Sequence, residues 1–108
     1  MEGQQLNIVW TDPAKKDLRE IYDFLEKISP SIAENQIVRI INRVDFIEEG
    51  FTKTGQKEPL LSDFRHEYRY LVQDNYKIIY HQIKKEVSID MVFDTRQNPE
   101  KLSSISNL

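Results

Sequence analysis

The sequence predicts a two-layer α+β domain of order β-α-α-β-β-β, a helical hairpin packed on an antiparallel sheet. Three observations predict it: a short alternating apolar run opens the chain, two stretches of helical periodicity follow, and three β-rich runs of period two close it. At 108 residues the chain suits one domain. We expect that domain to span residues 1–108, with its core over about 6–98 and a polar tail over 99–108. A chain of this size buries roughly two-thirds of its extended surface, enough for a core without staples.

The first strand is read from Leu6-Asn7-Ile8-Val9-Trp10, which alternates and is β-rich. Asp12-Pro13 then predicts a helix start, with Asp12 as N-cap and Pro13 in the first turn, where its missing N–H costs nothing. Ala14, Leu18, Ile21, Tyr22, Leu25 and Ile28 form one apolar stripe. Lys16–Glu20 and Arg19–Asp23 lie one turn apart on the opposite face. Ser29-Pro30 ends this helix, because the residue before proline avoids the α region. Ser31 with Glu34 reads as a capping box for a second helix. Its stripe is Ala33, Ile37, Ile40, Ile41, Val44 and Ile47, and it ends near Gly50.

Phe51–Leu61 lacks a period and is expected to be a loop. Tyr68–Val72, Tyr76–Ile83 and Val87–Asp94 are then three strands of a meander. A three-residue turn over Gln73-Asp74-Asn75, with Asn75 left-handed, separates the side chains most cleanly. It places Tyr68, Tyr70, Val72, Tyr76, Ile78 and Tyr80 on one face, and Arg69, Leu71, Lys77, Ile79 and His81 on the other. A two-residue turn would instead separate Arg69 from Lys77, because one residue of slip inverts every side chain. The last strand is expected to keep Val87, Ile89, Met91 and Phe93 on a single face. On this register the helices cover the tyrosines and leave the Arg69/Lys77/His81 face open.

Composition narrows the chemistry. The chain has no cysteine and two histidines, His66 and His81. Disulfides, thiol nucleophiles and thiolate metal sites are excluded, and no metal or other cofactor is expected. No apolar run approaches the ~20 residues of a membrane span, and no basic-then-apolar export signal opens the chain. A cytoplasmic protein without a membrane partner is expected. Net charge is −3, which disfavours a broad basic field for nonspecific phosphate binding. Residues 1–50 carry six bases and ten acids, residues 51–108 nine and eight. A local phosphate-binding surface therefore belongs to the second half.

In order and spacing, several segments resemble the RelE/ParE toxin superfamily of type II toxin–antitoxin systems. They are Val9-Trp10-Thr11-Asp12-Pro13-Ala14, Asp17-Leu18 with Ile21-Tyr22, Tyr68-Arg69-Tyr70-Leu71-Val72, Asn75-Tyr76-Lys77-Ile78-Ile79-Tyr80 and Val92-Phe93-Asp94-Thr95-Arg96-Gln97-Asn98-Pro99. The match runs over about residues 6–101. The resemblance implies a toxin neutralised by a small cognate antitoxin. RelE-like members cut mRNA in the ribosomal A site without a metal. ParE-like members inhibit DNA gyrase and are not nucleases.

By position, the resemblance makes Arg69, Lys77 and Arg96 the basic sites of a nuclease, and His81 is a substitute base near neutral pH. The same Arg69, Lys77 and Arg96 are candidates for contacting a target or antitoxin. Arg39 and Arg43, four residues apart on the second helix, are candidates for an acidic partner. No Tyr or His follows Arg96, where nuclease members usually carry one. With the acidic net charge, this favours the ParE-like branch. The implied partners are the antitoxin and either gyrase or the ribosome with its mRNA; the sequence sets no oligomeric state.

Overall fold

The computed structural model describes residues 6–48, 56–58 and 66–96. The elements are β1 (Asn7–Trp10), α1 (Asp12–Glu26), α2 (Pro30–Glu48), β2 (Gln56–Lys57), β3 (Arg69–Gln73), β4 (Tyr76–Ile83) and β5 (Glu86–Asp94). The expected α+β order is present, with one addition. Gln56–Lys57, inside the expected loop, is a short strand paired antiparallel with Tyr70 and Arg69. Two paired residues are too few for periodicity to register. The sheet runs β1-β5-β4-β3-β2, and β1 lies parallel to β5 while the other pairs are antiparallel. A parallel pair needs a long crossover, and the two helices with the meander supply it. The tail over 99–108 and the expected helix end at Gly50 lie outside the described residues.

Both helices start one or two residues earlier than the sequence suggested. Thr11, not Asp12, caps α1: its Oγ1 accepts from the Ala14 amide at 3.3 Å. The same hydroxyl donates to the Ile89 carbonyl at 2.8 Å, and the Thr11 amide donates to that carbonyl at 3.1 Å. At α2 the cap is Ser29, whose Oγ accepts from the Ile32 amide at 3.4 Å, leaving Pro30 as the first helical residue. A proline at that position needs no capped amide, so the cap moves upstream of it.

β1 covers only part of β5. Its pairing ends at Trp10 with Ile89, and the remaining β5 edge faces α1. There the Asp17 carboxylate accepts from the Val92 amide at 2.9 Å. The helix thus satisfies an edge amide that a longer β1 would have bonded. Against this frame pack Ala14, Leu18 and Ile21 from α1 and Ile40, Val44 and Ile47 from α2. Leu71, Tyr76, Ile78, Tyr80, Val87, Ile89 and Val92 form the sheet side of that core. The α1 stripe ends sooner than expected, since Ile28 is 67% exposed.

The register differs from the expected one, and the difference redistributes the charges. Gln73 pairs with Tyr76 across a two-residue Asp74-Asn75 turn. Asp74, not Asn75, takes the left-handed conformation, at φ 57°. In this position Asp74 also accepts two hydrogen bonds from Arg39 and one from Gln36, both on α2. Those contacts hold the turn where the helix can reach it.

As a result Arg69 shares its face with Leu71, Tyr76, Ile78 and Tyr80, toward the helices. Lys77 lies on the opposite face with Tyr70, its ammonium 4.2 Å from the Tyr70 ring centre. The tyrosines divide as well: Tyr76 and Tyr80 enter the helix-side core, while Tyr68 and Tyr70 join the far side.

The last strand departs from simple alternation too. Ile79 pairs with Met91 but Tyr80 with Ile89, so Asp90 is an extra residue on β5. This bulge reverses the side-chain phase. Val87, Ile89 and Val92 face the helices, whereas Met91 and Phe93 pack with Tyr68 and Ile79 on the far side. That far side, expected to be open, buries Tyr68, Ile79, Met91 and Phe93 to 8% exposure or less.

Removing the α1 link to β5 should be felt directly. Asp17→Ala is expected to destabilise the fold by about 1–3 kcal/mol in urea denaturation, since it strands a part-buried amide. An unchanged unfolding midpoint would show that the Val92 amide does not depend on it.

Candidate functional site

The charged residues singled out in the sequence occupy separate places, most of them with a carboxylate close by. Arg69, with its side chain 18% exposed, pairs with Glu67 at 2.8 Å on the helix-facing side. On the far side, Lys77 Nζ donates to Glu58 Oε1 at 2.7 Å, and the Glu58 side chain is fully buried. Glu58 follows β2 directly, and its amide donates to the Tyr68 carbonyl at 2.9 Å. A buried carboxylate needs such a cation, because desolvating it alone would cost several kcal/mol. Lys77 is therefore engaged in holding the β2 edge to the sheet.

His81 is not a solvated strand histidine. Its Nδ1 lies 2.6 Å from the buried Asp90 carboxylate, and its own side chain is 13% exposed. The bulge that reverses β5 is what aims Asp90 at it. The His66 ring stacks on His81 with centroids 4.4 Å apart and planes 10° from parallel. Tyr68 meets both imidazoles edge-on, at 5.9 and 5.3 Å. Neither Glu58 nor Asp90 stood out in the sequence. A carboxylate inside a β-rich run, as Asp90 is between Ile89 and Met91, was the one available signal.

The helical arginines bind the adjacent hairpin. Arg39 holds Asp74 in a fork, Nε at 3.0 Å and Nη2 at 2.9 Å. Hydrogen bonds from Gln73, Arg39 and Gln36 keep the Asp74 carboxyl below its ordinary value, so it stays charged. Arg43 Nε donates to the Val72 carbonyl at 3.4 Å. Arg96 forms a two-pronged pair with Asp94, which holds its guanidinium even more firmly protonated than usual. Its side chain remains 67% exposed.

Beside Arg96 lies a groove of about 570 Å³. One wall is the β5-facing side of α1, with Asp17, Glu20, Ile21, Phe24 and Leu25, continued by Ile28 just past the helix end. The other is Tyr76 with the end of β5, Val92 through Asp94, and Arg96. The groove exists because β1 stops at Trp10, leaving the upper β5 edge to α1 alone. Phe24 and Ile28, four residues apart across the end of α1, are 64% and 67% exposed. Burial, reinforced by Asp94, pushes the Tyr76 phenol up, so it stays neutral. The arrangement is an apolar trough with carboxylates along one side and an Arg–Asp pair at its rim. It suits a peptide segment with apolar anchors rather than a small polar substrate. Among the described residues, no cluster of His, Asp and Glu is placed to hold a metal ion, and no helix is long and apolar enough to cross a membrane.

A helical hairpin on a mixed sheet whose first strand returns beside its last is the fold of RelE/ParE-like toxins. Residues 8–99 match the family model described as the ParE toxin of the type II toxin–antitoxin system, parDE. The chain belongs to that family, and is the toxin of a toxin–antitoxin pair with a cognate antitoxin as its partner. Among solved structures, the chromosomal ParDE TA system from P. aeruginosa contains a chain of the same fold. The TM-score is 0.70 at 20% identity, covering 85% of this chain and 98% of that one. No curated protein sequence matches significantly.

Proposed function

We propose that this toxin disables a protein target by surface contact, with DNA gyrase the target that the ParE-like resemblance implies. We further propose that the antitoxin neutralises it by seating an amphipathic segment in the groove between α1 and β5. The observation that carries the first reading is the dispersal of the candidate cations. Cleavage of RNA by its 2′-hydroxyl needs a base, an acid and a cationic stabiliser converging on one phosphate. Here Arg69 and Lys77 lie on opposite faces of the sheet, Arg96 sits beside the groove, and each is paired with a carboxylate. Such a set recognises partners by shape and charge rather than assembling around a phosphodiester.

One feature favours the rival reading, a ribosome-dependent endoribonuclease using Arg69, Lys77, His81 and Arg96. The Asp90-oriented His81 is an imidazole held in the manner of a general base. The two readings separate in one pair of assays. Purified toxin at micromolar excess should block supercoiling by gyrase while leaving ribosome-bound mRNA intact. Codon-phased cuts in that mRNA, with supercoiling untouched, would establish the rival instead.

The groove is tested through the antitoxin. Phe24→Asp combined with Ile28→Asp changes two exposed side chains, so the fold should persist. Antitoxin affinity should fall at least about tenfold, as expected when apolar anchors are removed. Unaltered affinity would place the antitoxin elsewhere.

A further inference from the structure

The groove between α1 and β5 has a charge pattern as well as an apolar lining. Its described walls carry three carboxylates, Asp17, Glu20 and Asp94, against one cation, Arg96. Resting on the reading that the antitoxin seats a segment there, we propose that this segment is basic as well as amphipathic. It sets apolar anchors on Phe24 and Ile28 and places a lysine or arginine over Glu20.

The three carboxylates stand in different situations. Asp17 is turned to the strand, where it accepts the Val92 amide at 2.9 Å. Asp94 holds Arg96 through both of its oxygens, at 2.8 Å from the backbone amide and 3.1 Å from Nε. Glu20 lies on the exposed part of the α1 wall. Among the described residues no hydrogen bond or ion pair holds its carboxylate, and Lys16, one turn earlier, does not pair with it. In water an exposed carboxylate needs no partner. An occupant of the groove removes that water, and a desolvated carboxylate is strongly penalised unless a cation comes with the occupant.

An acidic segment meets the opposite condition. It brings like charge to Asp17 and Glu20, and it reaches the Arg96 guanidinium only in competition with Asp94. The groove therefore selects by repulsion as well as by attraction.

Spacing along the helix gives the segment a direction. Glu20, Phe24 and Ile28 recur every four residues, with the carboxylate inside α1 and Ile28 past its end. From Glu20 to Phe24 the axial rise is about 6 Å. The segment then carries its cation about one helical turn, or about two extended residues, from its first apolar anchor. Reversed, it would set the cation against Ile28 and leave Glu20 under an apolar side chain.

The test is the affinity of the full toxin chain for its full-length cognate antitoxin, at about 50 mM and about 300 mM salt, which differ in screening. Every substituted side chain is exposed, so the fold should persist. At the lower salt Glu20→Lys should weaken binding at least about tenfold and Glu20→Gln about threefold, with smaller losses at the higher salt. Asp23→Lys makes the same charge change as Glu20→Lys on α1 but outside the groove lining, and should hold affinity within about twofold of the parent. Phe24→Ala with Ile28→Ala alters no charge and reports whether the groove is the site. A loss in that pair, with Glu20→Lys binding as tightly as the parent, would overturn the basic occupant and leave the groove reading intact. No loss in either would remove the groove reading and the proposal with it. Equal losses in Glu20→Lys and Asp23→Lys would also overturn the proposal, because net charge alone would then account for them.

Discussion

The register of β4 against its two neighbours governs the rest of this structure. On one side a two-residue turn sets Val72 opposite Lys77; on the other a bulge at Asp90 lets Ile79 meet Met91 and Tyr80 meet Ile89. Side chains alternate with period two, so a shift of a single residue on either side would exchange core for surface along a whole strand. The observed register places Ile78 and Tyr80 under the helices and Ile79 with Met91 and Phe93 behind the sheet. Both faces of β4 are consequently buried, and the charged residues among them survive only as pairs. Lys77 with Glu58 and His81 with Asp90 are results of that constraint, not additions to it.

The groove follows from a second economy at the sheet edge. β1 is short, so Ile89 and Val92 would be left with unpaired backbone groups on the edge away from β4. Thr11 and Asp17 answer them from the start of α1, fixing the helix beside β5 at a set distance. Because backbone groups must find partners when water is excluded, the helix position is dictated by the strand it serves. What remains between its β5-facing side and the strand end is the apolar trough rimmed by Asp94 and Arg96. The surface proposed for antitoxin binding is thus a by-product of how the edge is closed.

Much of the architecture was legible in the residues. Ala14, Leu18 and Ile21, and Ala33, Ile40, Val44 and Ile47, lie on the core side as their spacing implies, whereas Ile41, expected in the same stripe, is 38% exposed; the three late strands fall where period two places them. The candidate site was less legible, and for one reason. Choosing between a two- and a three-residue turn on side-chain segregation favours a single cationic face, whereas the chain satisfies its far-side charges by pairing them. Asp74 lowers the cost of the tighter turn by binding Arg39 and Gln36 across 35 and 38 residues, a contact no local pattern contains. The Asp90 bulge was hidden similarly, since Val87, Ile89, Met91 and Phe93 alternate without interruption in the sequence. Strand β2, only two residues long, has no period to detect. Arg39 and Arg43, candidates for an acidic partner, instead reach the hairpin beside them, at Asp74 and the Val72 carbonyl.

The most direct test of this account is the pattern of cross-strand backbone NOEs between β3 and β4 in the free protein. The account predicts contacts of Val72 with Lys77 and of Tyr70 with Ile79, which set Arg69 and Lys77 on opposite faces of the sheet. Contacts of Val72 with Tyr76 and of Leu71 with Lys77 would contradict it, restoring a three-residue turn and a common face for the two cations.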